Sequence, residues 1–366
     1  MGERVETLSS MSKTRLLLIG PVPPPIGGTS VLFQHLQREL EARGEFDVKT
    51  INTANPGNRA YFLPFTLAWQ LLLLLRWLPW ANVVSFHAST QRFVVFGGVL
   101  TQVCRLFRRP LVARVFGGSL CEVGARLSGW RLACYRSIMQ ADVVLVEMKQ
   151  MLQELSQVFP ESRLQWFANS RPLPSVNDDV LPSSRKDRKH LIFSLISHVR
   201  AEKGIYEIGE AVMLLGERDD FEVRLYGRLF GDVDLSRVEV SDRIKYYGEL
   251  KPEQVVEALK ATDVVLLPSW YDGEGYPGTI IEAFTYGRPS IATDWKYIPE
   301  IATNEVNALL VVPKDAAALS GAMQRMLDDR DLLKRLADGA RQSAHDFSSS
   351  HWNGDKFRDY CLSVLK

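Results

Sequence analysis

The sequence predicts an α/β protein of two doubly wound, Rossmann-like domains facing each other across a cleft. Three observations predict it. The chain has 366 residues, more than one compact core usually organises, since a domain takes about 100–200. Short apolar runs of strand length alternate with stretches of helical period in both halves, the pattern of parallel sheets covered on both faces. Between the halves, residues 172–189 hold Pro172, Pro174, Pro182, Ser183, Ser184 and the charge run 185–189, a linker composition. The expected division is a first Rossmann-like domain at 1–175, a linker at 176–190, a second Rossmann-like domain at 191–345 and a C-terminal helix at 346–366.

The first half opens with an apolar run at 16–19 and a turn-rich stretch at 20–28. Val31, Leu32, His35, Leu36 and Leu40 then recur at helical spacing, and Gly44 closes the pattern. Strands follow at 46–51, 81–87, 110–116 and 142–147, with helices at 93–107 and 130–140. Residues 62–80 are rich in Leu and Trp, but Pro64, Gln70, Arg76 and Pro79 interrupt them. Their longest apolar run, 71–75, is far short of the roughly 18 residues a spanning helix needs. Two readings stand: a helix buried against the sheet, or a helix at a membrane surface with Trp69, Trp77 and Trp80 at the interface and Arg76 among the headgroups. In the second half, strands are expected at 191–199, 221–226, 243–247, 263–268, 289–293 and 308–312. Helices are expected at 205–215, 252–260, 279–286, 315–327, 331–345 and 352–365.

Composition narrows the function. Apolar residues make up 46% and charged residues 24%, ordinary for a folded soluble chain. Lys and Arg number 44 against 43 Asp and Glu, so no global charge points to nucleic acid. Cys104, Cys121, Cys134 and Cys361 are scattered without a C-x-x-C pair, which argues against structural zinc and for reduced thiols in a cytoplasmic protein. Residues 1–14 lack the apolar core of a secretory signal. Glu6 breaks the myristoylation pattern that Gly2 begins.

Three segments carry candidate chemistry. Gly27 and Gly28 end the loop after the first strand, where backbone can approach a ligand and a helix start favours an anion. A tight turn capped by Thr29 or Ser30 explains the same residues. The loop is neither G-x-G-x-x-G nor a P-loop, which weakens nicotinamide and ATP readings. The segment 197–204 (SHVRAEKG) ends the first strand of the second half and offers His198, Arg200 and Lys203 to a diphosphate, or only to solvent. The segment 274–283 (EGYPGTIIEA) sets Glu274 on a loop and Glu282 about one turn inside a helix. Both carboxylates can accept hydrogen bonds from the diol of a ribose or sugar ring, while the first amides of the helix meet phosphate oxygens. Two acids around a sugar also suit a glycoside hydrolase, one as acid and one as base.

Residues 274–294 (EGYPGTIIEAFTYGRPSIATD) resemble the E-x7-E segment of glycosyltransferase family 4, the retaining transferases of the GT-B fold. The first glycine-rich loop, the segment 169–172 (NSRP), Glu202-Lys203-Gly204, and the stretches 247–250, 263–269 and 298–301 are similar to that family as well. The resemblance covers most of the chain and is strongest over 191–345. It implies a metal-independent transfer, with no cofactor, from a UDP or GDP sugar to a glycan or lipid-linked acceptor in cell-envelope polysaccharide biosynthesis, such as lipopolysaccharide. Lys203 and a neighbouring cation, His198 or Arg200, would hold the diphosphate. Glu274 would contact the donor sugar, Glu282 the ribose, and backbone amides around Gly275, Tyr276, Pro277, Gly278 and Thr279 would complete the pocket over Gly27 and Gly28. The family often has a His where this chain has Phe116-Gly117-Gly118. The partners expected are thus a nucleotide sugar, that acceptor and a membrane surface touched through 62–80, with no nucleic acid and no metal, and the expected location is cytoplasmic, peripheral to the inner face of the plasma membrane. The rival readings are a sugar-nucleotide-binding protein with weak or no transfer, or another GT-B enzyme such as a nucleotide-sugar epimerase or a phosphorylase.

Overall fold

The structure is a computed structural model that describes residues 13–25, 27–54, 63–174 and 190–365, and the side chains of all of these except 63–67. The expected linker at 176–190 falls outside the described residues apart from His190, as does the polar start of the chain.

Two six-stranded sheets form, with every pairing parallel. The first unit contains β1 (Thr14–Gly20), α1 (Gly28–Arg43), β2 (Phe46–Asn52), α2 (Leu63–Trp77), β3 (Val83–Ser89), α3 (Thr90–Leu106), β4 (Leu111–Phe116), α4 (Leu120–Ala125), α5 (Gly129–Ile138), β5 (Val143–Val146), α6 (Lys149–Val158) and β6 (Leu164–Trp166). Its strand order is β2-β1-β3-β4-β5-β6. The second unit contains β7 (Leu191–Ile196), α7 (Ile205–Leu214), β8 (Phe221–Tyr226), β9 (Ile244–Gly248), α8 (Pro252–Ala261), β10 (Val264–Leu267), α9 (Gly278–Thr285), β11 (Ser290–Thr293), β12 (Ala308–Val311), α10 (Ala316–Asp328) and α11 (Arg330–Ala344). Its order is β12-β11-β10-β7-β8-β9.

The strands read as unbroken apolar runs because helices cover both faces: β4, β5, β7, β10 and β11 are buried at every position. Helix ends follow local chemistry. Gly44 closes α1 in the left-handed region, its N–H on the Leu40 carbonyl. Asp315 and Asp329 accept from the backbone at the starts of α10 and α11. Strand order then positions the ligand. In a doubly wound sheet the crevice opens where the winding reverses, at the carboxyl edge. That point lies between β1 and β3 in the first sheet and between β7 and β10 in the second. The glycine loop leaves β1, the Lys203 loop leaves β7 and the Glu274 loop leaves β10.

The structure departs from the sequence expectations in four places. The elements α4, α6 and β6 were not expected. The Leu-rich helix α2 is two-faced rather than simply buried: Leu73, Leu74 and Trp77 pack on the core, while Trp69, Leu71, Leu72 and Leu75 are exposed. The expected final helix is broken into a π-helical stretch, Ser350–Lys356, and α12 (Phe357–Ser363). This C-terminal segment also belongs to the first unit. Trp352, Phe357 and Cys361 are buried in the same core as β1, β3 and β4, and Arg43 on α1 reaches Asp355 at 2.7 Å. All four cysteines are free, and among the described residues no helix is long and apolar enough to cross a membrane.

Candidate functional site

The site begins with a backbone constraint. A 3-10 turn, Ala201–Lys203, follows β7, and Gly204 ends it at φ 75°. A Cβ at Gly204 would lie 2.2 Å from the Pro268 carbonyl oxygen, so only glycine fits there. That close approach brings the loop after β7 against the loop after β10, and Trp270 N donates to Glu202 O. Lys203 Nζ then stands 2.6 Å from Glu274 Oε2. Ser269 Oγ donates to the same carboxylate oxygen. Glu274 is buried, and the Lys203 side chain is 13% exposed, so the pair sits just inside a surface rather than in solvent.

Helix α9 supplies the second acid. Thr279 Oγ1 donates to the Ile196 carbonyl at 2.7 Å, tying the helix start to the end of β7. Glu282 follows one turn in, and Arg171 Nε donates to its Oε1 at 2.6 Å. Arg171 comes from the segment that leaves the first unit. Its Nη1 donates to Asn169 Oδ1 and Ser170 O, and Asn169 Nδ2 donates to the Tyr276 carbonyl. A Cβ at Gly278 would meet Arg171 Nη2 at 1.9 Å, so the guanidinium lies across the first turn of α9. Free amides and a fixed cation thus meet at one helix start, an arrangement suited to an anion. The sequence reading quoted Arg171 only as part of a resemblance and gave it no role. No local spacing signals a contact across 111 positions.

His198, Arg200 and Lys203 share the carboxyl edge after β7. His198 is exposed. Partial burial, then the charges of Lys203 and Arg200, lower its pKa below the ordinary histidine value, with Glu249 opposing. Arg200 Nη2 stands 3.0 Å from Glu202 Oε2, and its guanidinium lies over the rings of Phe230 and Tyr271. Of the two candidates for second cation, Arg200 is the one that holds a positive charge at neutral pH.

The remaining expected residues divide. A Cβ on Gly27 or Gly28 would meet nothing within 4 Å, so both border open space at the start of α1. The local cap is inverted from the expected one: Ser30 Oγ accepts from Gly27 N and donates to backbone carbonyls of the same loop. Gly275 lines the contact between the units. A Cβ at Gly118 would lie 2.2 Å from the Glu274 carbonyl oxygen. The Phe116-Gly117-Gly118 sequence therefore lets the first unit touch the Glu274 loop backbone to backbone. Tyr276 does not offer its ring to the cleft. It is buried, and its hydroxyl donates to Glu300, which accepts from the Lys149 and Gln150 amides at the start of α6. Its contribution to a pocket is restricted to its backbone. Pro277 precedes the first turn of α9.

Below the glycine contact the first unit is sealed. The Phe116 ring is buried. His87 is fully buried, bonded to Ser85 Oγ at 2.8 Å and packed on Phe33, Phe116 and Phe357, so it does not take the place of the family's cleft histidine. Arg114 and Glu147 form a buried pair at 3.2 Å. Among the described residues no cluster of His, Cys, Asp and Glu could hold a metal ion.

Comparison with known proteins places the fold and the second unit. Residues 177–343 match the family model described as glycosyl transferases, group 1. A probable sucrose-phosphate synthase of Oryza sativa is 29% identical over 182 residues, 47% of this chain and 18% of that one. The N,N'-diacetylbacillosaminyl-diphospho-undecaprenol alpha-1,3-N-acetylgalactosaminyltransferase of Campylobacter jejuni is 28% identical over 160 residues, 43% of this chain and 41% of that one. The alignments therefore span less than half of either relative. Among solved structures, a sucrose-phosphate synthase from Thermosynechococcus elongatus superposes with a TM-score of 0.74 at 17% identity, over 96% of this chain and 99% of that one. The HepE protein of Anabaena in complex with UDP and glucose gives 0.70 at 16% identity, over 96% and 100%. This chain has the GT-B fold, and its second unit is the part that matches the group 1 glycosyl transferase model.

Proposed function

We propose that the protein is a retaining, metal-independent glycosyltransferase that moves a sugar from a UDP or GDP sugar to a glycan or lipid-linked acceptor of cell-envelope polysaccharide, working at the inner face of the membrane. The observation that carries this reading is the Lys203–Glu274 pair at 2.6 Å, beside a helix start and one turn from Glu282. A diphosphate entering at α9 takes Lys203, and Arg200 behind it, as charge-assisted donors. Glu274, released from the lysine, accepts from hydroxyls of the donor sugar. Glu282 accepts from the ribose diol, exchanging its bond from Arg171, whose guanidinium stays at the α9 start near the phosphates.

The chemistry follows from those positions. The bond between the anomeric carbon and the phosphate oxygen breaks, and its electron pair leaves with the nucleoside diphosphate. Fixed positive groups hold that developing charge without reorganising, the largest contribution such a site makes. The acceptor hydroxyl bonds the anomeric carbon from the same face and gives its proton to the departing phosphate oxygen. Gly27 and Gly28 leave room for the acceptor on the opposite wall. The Campylobacter relative, whose name specifies an undecaprenol diphosphate acceptor, and the UDP and glucose held by the Anabaena neighbour support the substrate classes.

The test is a panel of nucleotide sugars screened by thermal shift and then by transfer. A matching donor at about 100 times its dissociation constant stabilises by about 2.7 kcal/mol. Glu274→Ala keeps binding and loses transfer. Equal transfer by wild type and Glu274→Ala would overturn the assignment, and donor binding without transfer in wild type would favour the sugar-nucleotide-binding reading.

A further inference from the structure

We propose that the groove between α2 and α3 is a hydrocarbon-chain site that takes the lipid of a lipid-phosphate acceptor, with Arg92 at its mouth to meet the phosphate. This deepens the transferase reading and rests on its lipid-linked acceptor. The groove has a volume of about 280 Å³, room for about nine groups of the size of a water molecule and hence for a chain of about ten carbons. Ile19 and Phe86 of the sheet form its floor, Leu71 and Leu74 of α2 one wall, and Phe96 and Val99 of α3 the other. Leu71, Phe96 and Val99 are 53%, 44% and 59% exposed. A contiguous apolar face of this kind marks a binding surface.

Charge selects the occupant. From Val48 to Cys121 the sequence has no Asp or Glu and eight Lys or Arg, whereas the rest of the chain has 36 Lys or Arg against 43 Asp or Glu. Arg92 is the one charged residue among those lining the groove, so the slot suits a hydrocarbon whose end carries an anion. Polarity is confined to Thr53, Gln70 and Arg92 among the lining residues.

Direction places the anion. Helix α3 starts immediately after β3, so Arg92 in its first turn lies at the carboxyl edge of the first sheet. Arg92 is exposed, and its Nη1 donates to the carbonyl of Thr53, just past the end of β2. Gln70 Nε2 donates to the Asn52 carbonyl beside it. The groove therefore opens on the edge that carries the glycine loop, and runs down between the helices toward Val103. A lipid seated this way delivers its phosphate end to the side on which the donor site opens.

Titration calorimetry of the full chain with n-alkyl phosphates, below their critical micelle concentrations, tests this. Affinity should rise about fourfold per added methylene and level off near ten carbons. Decyl phosphate should bind at least tenfold more tightly than decanol, and Arg92→Gln should abolish that difference. The surface double variant F96D/V99D should lose at least tenfold in decyl phosphate affinity. Affinity that ignores chain length, climbs without levelling, or survives F96D/V99D overturns the site, as does binding to phosphatidylglycerol vesicles with none to the monomeric alkyl phosphates. The thermal shift given by UDP or GDP, and its reduction in Lys203→Ala, reads the donor site separately. Alkyl binding with no shift from either nucleotide sinks the transferase reading and leaves the groove; a nucleotide shift without alkyl binding does the reverse.

Discussion

Two cation–carboxylate pairs stand at the carboxyl edges of the two sheets, and their surroundings give them opposite uses. Arg114 and Glu147, at the ends of β4 and β5, are 1% and 4% exposed. The guanidinium lies against the rings of Phe116 and Phe167, and its Nε and Nη1 have no hydrogen-bond partner. Burial brings the Arg114 pKa down to about 10 despite the favourable pull of Glu147, and raises that of Glu147 above the ordinary carboxylate value. Lys203 and Glu274 instead stand on loops after β7 and β10, next to a helix start and a bank of glycines. The first pair is enclosed by apolar rings, so neither member can exchange its partner. The second pair can be separated by a ligand that offers each charge a replacement. Burial of charge is therefore a poor sign of function by itself, and position at a winding reversal is the better one.

The comparison can be broken by substitution. The largest effect is expected from Arg114→Met, which strands a buried carboxylate and should cost about 3–5 kcal/mol in urea unfolding. The double variant R114M/E147Q should recover much of that loss. Next comes Lys203→Ala, which should lower the transfer rate about 10²–10³-fold and destabilise less than Arg114→Met, because Ser269 still donates to the Glu274 carboxylate. A Lys203→Ala protein as destabilised as Arg114→Met would erase the distinction between the pairs.

The smallest effect sharpens the picture of Arg171, the cation between the two units. His35 on α1 has its pKa lowered to about 4, by burial first and then by the charges of Arg171 and Arg38. The folded state therefore favours neutral His35, while the unfolded chain takes up a proton near pH 6.5. Stability from this residue is complete above pH 6.5 and is lost as the pH falls toward 4. Allowing for its partial exposure, His35→Asn should flatten that fall by about 1–2 kcal/mol, measured as the difference in unfolding free energy between pH 7 and pH 4.5. An identical pH dependence in both proteins would show that burial and the charges of Arg171 and Arg38 do not hold His35 neutral in the folded state.

Much of the fold was legible because parallel strands buried on both faces leave continuous apolar runs, and the loops that follow them carry the glycines and charges. That is why the Lys203 and Glu274 segments were found, and why they meet. The three residues of β6 are too few for a period, and α4 is six residues long, so neither leaves a pattern. The partner of the Tyr276 hydroxyl was not legible: Glu300 is 24 positions away and itself caps a helix of the other unit. Arg171 shows the same limit: its carboxylate partner is fixed by how the units pack, which no spacing encodes.

The C-terminal return has a consequence for how the molecule is made. Trp352, Phe357 and Cys361 fill the interior of the unit whose own strands end at Trp166. During synthesis that unit cannot close its interior until residues 352–361 have emerged. Its nascent form must wait with apolar side chains uncovered while residues 190–345 are made. The half that leaves the ribosome earlier is thus completed only by residues made after the other half.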